Sequence, residues 1–306
     1  MKKQMIGVIA GSSSDSIVKK LSERGYETAV VFGEKDDFSN IEFTKNIITD
    51  LSNSSAIIDF FVKNNVEWVV IATGHFLAIS LIPLLEGNGM ITNLSYEKCQ
   101  LLKDKIKFKE AMISKGYLTP KYYVIEKIKD LIKLKEELAY PVVIKSNIDT
   151  TQPEKVFNYK DLTSTAESII SDGAKVLIEE FIDGNDCTVA VKNVDGYVKD
   201  FGVTYYCKAK EYNLKGFSGA DSVQMSTREE IEICHLSRKL IEDFNIPSLV
   251  RVDFIVRNGH AYILEVNSVI VTGFNGSAYP FFLDKGIDIS EVMIDTALET
   301  LKRKVS

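Results

Sequence analysis

The run Arg251-Val252-Asp253-Phe254-Ile255-Val256-Arg257-Asn258-Gly259-His260-Ala261-Tyr262-Ile263-Leu264-Glu265-Val266-Asn267 places three oxygen-bearing side chains on two apolar strands around an Asn-Gly turn signal. Glu265 and Asn267 are two residues apart, so they share one face of their strand. Asp253 joins that face under one register only. A two-residue turn sets Asp253 opposite Leu264, with Glu265 pointing the other way. A three-residue loop, Asn258-Gly259-His260, pairs Asp253 with Glu265 and Arg251 with Asn267, and such loops are a common hairpin class. Unpaired carboxylates on buried strands are costly, and a hard cation offsets that cost. Magnesium favours a few carboxylate or carbonyl oxygens together with phosphate oxygens. Asp253, Glu265 and Asn267 therefore form a candidate metal site suited to magnesium on a nucleoside triphosphate. The competing reading is a solvated strand edge on which Asp253 pairs with Arg251, because one face of an antiparallel sheet is often polar.

Working outward, the last third of the chain is mostly antiparallel. Strands over 188–193 and 197–206 flank Asp195-Gly196, a further hairpin signal, and helices are expected over 228–244 and 289–304. The middle third reads as a small α+β unit ending near 184, with strands over 121–125, 140–145 and 175–181 and helices over 128–138 and 161–171. The first third alternates apolar strands (5–10, 28–32, 67–72) with helices (17–24, 55–64), the pattern of a parallel sheet covered on both faces. One long helix is expected over 95–115, closed by Gly116, and Thr119-Pro120 then marks a domain boundary.

Bulk properties narrow the function. A chain of 306 residues exceeds one core of ordinary size and is expected to form two or three domains. A net charge of -6 argues against nucleic acid as the main partner, since phosphate backbones need a basic surface. Cys99, Cys187, Cys207 and Cys234 are scattered, without metal-ligand spacing, as expected of idle thiols in a reducing compartment. No stretch approaches the length of a bilayer span, so no membrane partner is expected and the cytoplasm is the default location.

Lys145 ends the apolar strand Pro141–Ile144, where an amine can reach phosphate as a point charge or simply snorkel to solvent. The stretch Glu179-Glu180-Phe181-Ile182-Asp183-Gly184-Asn185-Asp186 is a linker strand whose backbone can meet a purine edge, with Asp186 near ribose hydroxyls. In order, the chain carries Asp104-Lys105, Tyr140-Pro141-Val142-Val143-Ile144-Lys145, Val176-Leu177-Ile178-Glu179-Glu180-Phe181-Ile182-Asp183-Gly184-Asn185-Asp186, Arg251-Val252-Asp253-Phe254 and Ile263-Leu264-Glu265-Val266-Asn267. This ordered set resembles the ATP-grasp superfamily, especially its D-alanine–D-alanine ligase-like and carbamoyl-phosphate-synthase-like branches, and spans most of the chain.

The resemblance implies an ATP-grasp fold of α/β and α+β units. Residues 1–95 would form an N-terminal parallel α/β domain, 96–119 a connecting helix, 120–184 a small lid subdomain and 185–306 a large C-terminal antiparallel-sheet subdomain. It implies ATP and magnesium, with manganese as a substitute. Lys105 and Lys145 match the lysines that hold the phosphates. Glu180, Phe181 and Ile182 match the adenine hinge with Glu179 just before it, and Asp186 stands where a ribose-binding glutamate is usual. Asp253, Glu265 and Asn267 match metal ligands, and Arg251 an arginine that stabilises the transferring phosphoryl group. Gly273 and Ser277 lie where amides and hydroxyls could meet an oxyanion, and Lys208 and Lys210 belong to a segment, 205–224, with the look of a mobile cover over the phosphates. The implied reaction joins a carboxylic acid to an amine, both small molecules and amino acids by resemblance, through an acyl phosphate. A homodimer is compatible with it.

Two departures stand out. The flap after Lys145, 146–155, has no glycine, so backbone amides approach phosphate less easily; Thr150, Thr151 or Lys155 are the candidate substitutes. After Asn267 the chain reads Ser268-Val269-Ile270-Val271-Thr272-Gly273, without the usual arginine for an acceptor carboxylate. Three other readings stay open: a carbamoyl-phosphate-synthase-like or carboxylate-kinase subunit, a nucleotide-binding regulator without turnover, and an oxidoreductase. The last is opposed by the spacing Gly7…Gly11, which is not GxGxxG.

Overall fold

A computed structural model describes residues 4–11, 14–34, 36, 38, 41–148, 152–205, 225–270, 282 and 285–305. In chain order the strands are β1 (Met5–Ile9), β2 (Glu27–Phe32), β3 (Lys45–Ile48), β4 (Trp68–Ile71), β5 (Ile91–Thr92), β6 (Tyr122–Ile125), β7 (Val142–Ser146), β8 (Glu154–Val156), β9 (Val176–Glu180), β10 (Asn185–Val194), β11 (Tyr197–Tyr205), β12 (Ser248–Arg257) and β13 (His260–Asn267). The helices are α1 (Asp15–Glu23), α2 (Ser54–Lys63), α3 (Phe76–Ser80), α4 (Ile82–Gly87), α5 (Tyr96–Lys103), α6 (Lys105–Ser114), α7 (Ile128–Leu134), α8 (Tyr159–Ser171), α9 (Thr227–Asp243) and α10 (Ile289–Val305). They build three sheets.

The first sheet is parallel, in the order β3-β2-β1-β4-β5. Its central strands are apolar runs buried on both faces, including Ile6, Val8 and Ile9, Ala29 to Val31, and Val69 to Ile71. The order reverses between β1 and β4, and the carboxyl ends of those strands make the crevice where open α/β sheets bind ligands. Ser14 closes the base of that crevice: its hydroxyl accepts from the Gly11 N–H (3.0 Å) and donates to the Ala72 carbonyl (2.8 Å).

The second sheet, β6-β9-β7-β8, is antiparallel. Alternation splits its faces. Val142, Ile144, Val176 and Ile178 join Leu131, Leu162, Ala166 and Ile169 of α7 and α8 in one core. Val143, Lys145, Leu177 and Glu179 occupy the opposite face, as their pairings Lys145 with Leu177 and Val143 with Glu179 require. The flap after Lys145 is partly strand: β8 pairs Lys155 with Val143 and Glu154 with Ile144.

The third sheet, β11-β10-β12-β13, is antiparallel. One face sends Val189, Val191, Val250, Val252, Phe254 and Val266 into a core with Phe108 and Met112 of α6 and Ile233, Leu240 and Ile241 of α9. The other face gives Ala190 and Leu249 to the core of the first sheet, which also takes in Ile294, Ala297 and Leu301 of α10.

Two expectations need correction. The single helix over 95–115 is two, because Asp104 adopts an extended backbone (φ -83, ψ 94) and caps α6, its carboxylate accepting from the Lys107 N–H at 3.2 Å. An acidic N-cap satisfies an orphan amide that a continuous helix would not leave free. The hairpin of β12 and β13 also closes differently. Asn258 (φ 51) and Gly259 (φ 75) form a two-residue turn, pairing Arg257 with His260, yet Asp253 pairs with Glu265 and Arg251 with Asn267. A bulge reconciles them: Phe254 faces Ile263 and Asp253 faces Glu265, so Leu264 is the extra residue. The expected register holds, but its cause is the bulge and not a three-residue loop.

Candidate active site

Asp253 sits at the centre of the hairpin cluster, only 7% exposed. Its carboxylate accepts from Arg251 twice, Nε to Oδ1 and Nη2 to Oδ2, both at 2.9 Å. It also accepts from the Thr188 hydroxyl at 2.7 Å, across the β10–β12 ladder. The Asn267 Nδ2 group donates to Asp253 Oδ2 and to Glu265 Oε1, each at 3.0 Å. Burial pushes the Asp253 carboxyl above the ordinary carboxylate range and nearby Glu265 adds to that rise, while Arg251 and Thr188 oppose it. Thr188 escaped the sequence reading. It gives no motif of its own, and only the pairing of β10 with β12 sets it opposite Asp253.

These residues fit a hard divalent cation. An amide NH2 bridges the two carboxylates, in the way a cation between them would, and the neighbouring oxygens are carboxylate and amide, the donors magnesium accepts. Among the described residues no group of three or more His, Cys, Asp or Glu side chains is placed to hold a metal ion, and the side chain that accompanies Asp253 and Glu265 here is Asn267. The alternative of a solvated strand edge does not hold for Asp253: it pairs with Arg251, but out of solvent.

Strand β7 and helix α6 each supply a cation. Lys145 and Lys109 each hold Nζ 2.9 Å from the same oxygen, Oε1 of Glu179. All three residues are buried, Lys109 at 1%, Glu179 at 2% and Lys145 at 6% exposed. Burial would raise the Glu179 carboxyl, but Lys145 and Lys109 hold it below its usual range. Burial lowers the Lys109 amine in turn, with Glu179 opposing the fall. Lys109 is the second residue that sequence reasoning passed over. Its one signal is position: it lies next to Phe108, on the buried side of α6. Glu179 is thus committed to two lysines as well as preceding the hinge. Lys105 begins α6 and donates its N–H to the Asn147 carbonyl at 3.1 Å, tying that helix to the end of β7.

The hinge is short. β9 ends at Glu180 and β10 begins at Asn185. The Glu180 N–H donates to the Lys121 carbonyl and its carboxylate accepts from the Lys121 N–H, both at 2.9 Å, so both groups are committed to β6's edge. Ile182 is buried, and the Phe181 ring lies 3.4 Å from the Lys155 amine. Gly184 fits where no side chain could: a Cβ there would come 2.5 Å from the Val256 carbonyl oxygen. Asp186 lies two residues before Thr188, hence on the face of β10 that carries Thr188 and Asp253.

Near the first sheet's crevice, a Cβ on Gly74 would lie 3.9 Å from Val269, so the chain after Asn267 runs beside the end of β4. His75 caps α3, its Nδ1 accepting from the Leu77 N–H at 3.3 Å. His235 and His260 are exposed. Gly273, Ser277, Lys208 and Lys210, with Thr150 and Thr151, lie outside the described residues.

Residues 102–273 match the family model of the ATP-grasp domain. The chain belongs to the ATP-grasp family. This ATP-grasp protein is 24% identical over 217 residues to a carbamoyl phosphate synthase large chain of Thermoanaerobacter sp. (strain X514), covering 69% of the chain. It spans only 20% of that large chain's length. It is 24% identical over 322 residues to a D-alanine–D-alanine ligase of Bacillus anthracis, with 97% of each covered. A crystal structure of a D-alanine–D-alanine ligase from Bacillus anthracis complexed with ATP shares the fold, at a TM-score of 0.74 and 19% identity over 99% of this chain and 100% of that one. The L-amino acid ligase from Bacillus licheniformis does so at 0.77 and 17%, over 97% of this chain and 75% of that one. Among the described residues no helix is long and apolar enough to cross a membrane.

Proposed function

We propose that this protein is an ATP-dependent ligase that joins a carboxylic acid to an amine, with amino acids as substrates and ADP and phosphate as by-products. The observation that carries the proposal is the register of β12 and β13, which sets Asp253 against Glu265 and Arg251 against Asn267 on one face, within a chain of the ATP-grasp family. Full-length similarity to a D-alanine–D-alanine ligase supports the choice of amino acids. We assign 1–95 to an N-terminal domain, 96–119 to a connector, 120–184 to a lid and 185–306 to the large subdomain.

In the first step a substrate carboxylate oxygen attacks the γ-phosphorus and ADP leaves. In the second an amine attacks the acyl carbon, phosphate leaves and the amine sheds a proton. Phosphoryl transfer asks little covalent help of a protein and depends on position and charge cancellation. Asp253, Glu265 and Asn267 would hold magnesium, or manganese in its place, which when bound neutralises phosphate charge. Lys145 and Lys105 would hold the phosphates, with Arg251 beside the transferring group. Phe181 and Ile182 would flank the adenine, and Asp186 would accept from ribose. Gly273 and Ser277 are assigned to the oxyanion, and Lys208 and Lys210 to covering the phosphates. The acid would bind at the β1–β4 crevice.

The test is phosphate release from ATP across pairs of amino acids, with the product identified by mass spectrometry. Glu265→Ala should abolish magnesium-dependent release while the protein keeps its melting temperature. Undiminished release would remove the metal assignment. Release that needs the acid but no amine would make the protein a carboxylate kinase, and tight ATP binding with no turnover a regulator. Mass in solution reads whether two copies associate.

A further inference from the structure

Lys109 cannot serve a ligand directly. It is 1% exposed, its amine donates to the Thr119 hydroxyl, and it stands 5.5 Å from the Tyr122 ring centroid. What it shares with Lys145 is a single acceptor, Glu179 Oε1. Two ammonium groups on one buried carboxylate leave one positive charge uncancelled. Buried surplus charge is unfavourable, and an arriving anion relieves it. Glu180 acts on Lys109 as well, but from an exposed position where water screens it. Without Lys109, Glu179 and Lys145 would form a closed pair with no net charge, and an incoming phosphate would have to displace Glu179 from Lys145.

We propose that Lys109 is a positioning residue for nucleotide binding: by sharing Glu179 it keeps Lys145 from being sequestered and preserves the surplus positive charge that phosphate oxygens meet. The inference rests on the nucleotide reading of the site and deepens it. It makes affinity follow the charge of the cluster instead of its packing.

The experiment compares full-length wild type, Lys109→Met, Glu179→Gln and the double variant. A non-hydrolysable ATP analogue with magnesium is titrated by calorimetry. Without nucleotide, the rate at which acetic anhydride labels Lys145 is followed by mass spectrometry. Lys109→Met should weaken nucleotide affinity on the order of tenfold, as loss of one nearby charge in a poorly screened site predicts, and should slow Lys145 labelling. The double variant restores one surplus charge, so affinity and labelling should return toward wild type although two buried partners are gone. A folded double variant as weak as Lys109→Met, with equal labelling rates, would show that Lys109 only holds the fold and would overturn the proposal. If Lys109→Met does not fold, Glu179→Gln decides: faster labelling and tighter binding support charge sharing, and unchanged values sink it. Should wild type bind no nucleotide, the functional reading falls, while the labelling rates still decide whether Lys109 frees Lys145.

Discussion

Thr188 shows how much of the site lies in single contacts that a motif does not announce. Its hydroxyl donates to Asp253 Oδ1 at 2.7 Å and to the Val252 carbonyl at 3.0 Å. It would not touch a cation held by Asp253, Glu265 and Asn267, but it orients the central carboxylate. Partners of this kind typically contribute a factor of about 10–100 in metal affinity. Thr188→Val keeps the side-chain volume and removes the donor. It should weaken magnesium binding by roughly that factor, read as a shift in the magnesium dependence of ATP binding; an unshifted curve would show that Arg251 and Asn267 suffice to orient Asp253. Buried Cys99 and half-buried Cys234 carry no such role. Burial pushes Cys99 up to about 11 and Cys234 to about 12, far from thiolate reactivity at neutral pH.

At the scale of elements, the joint between β9 and β10 holds the described glycine with the least room for a side chain. Gly184 is needed there for space, not for backbone freedom: a Cβ would meet the Val256 carbonyl oxygen at 2.5 Å and Ile255 Cγ2 at 2.7 Å. Backbone cannot yield as a flexible side chain does. Gly184→Ala should cost about 1–3 kcal/mol, the usual range for overpacking, and should weaken nucleotide affinity by displacing the hinge. A variant with wild-type melting temperature would show that β12 moves aside. The hairpin β12–β13 makes the complementary case. Its Asn-Gly turn was legible, and so was the register that chemistry demanded, but not the way the two coexist. The bulge at Leu264 adds a residue to β13 and turns Glu265 and Asn267 onto the face of Asp253. Likewise β3, β5 and β8 went unread, because Lys45–Ile48, Ile91–Thr92 and Glu154–Val156 are too short to show a period.

At the scale of the molecule, α10 returns to the first sheet and packs on α1, so residues from both ends of the chain share one core. Charged pairs line that contact. Lys20 meets Asp288 and Glu291 at 2.8 Å, and Arg24 pairs with Glu291 and with Asp295. Burial works against the charged form of Asp288, but Lys20 holds its carboxyl below the ordinary 3.8; Glu291 is held below 4.5 by Lys20 and Arg24. A carboxyl lowered by folding adds stability above its unfolded value and loses it as pH falls through the folded one. The melting temperature should therefore decline as pH drops below 4.5, the ordinary glutamate value. Lys20→Met with Arg24→Met should lower stability at neutral pH by at most about 1 kcal/mol per pair, given the exposure of the acids. The same double substitution should flatten the acid decline. Parallel acid curves for the two proteins would show that other carboxylates set the decline.

What sequence alone determined was whatever local chemistry repeats along the chain. Apolar runs between helical periods announced the parallel sheet, the Asn-Gly and Asp-Gly turns announced the hairpins, and the order of Lys105, Lys145, Glu179, Asp253, Glu265 and Asn267 announced the family. Tertiary structure alone decided which groups meet. Lys109 and Glu179 are 2.9 Å apart although seventy positions separate them in the chain, and Thr188 reaches Asp253 only because β10 lies beside β12. Propensity and periodicity act over one element, whereas a buried charge is satisfied by whatever the packing of distant elements brings to it.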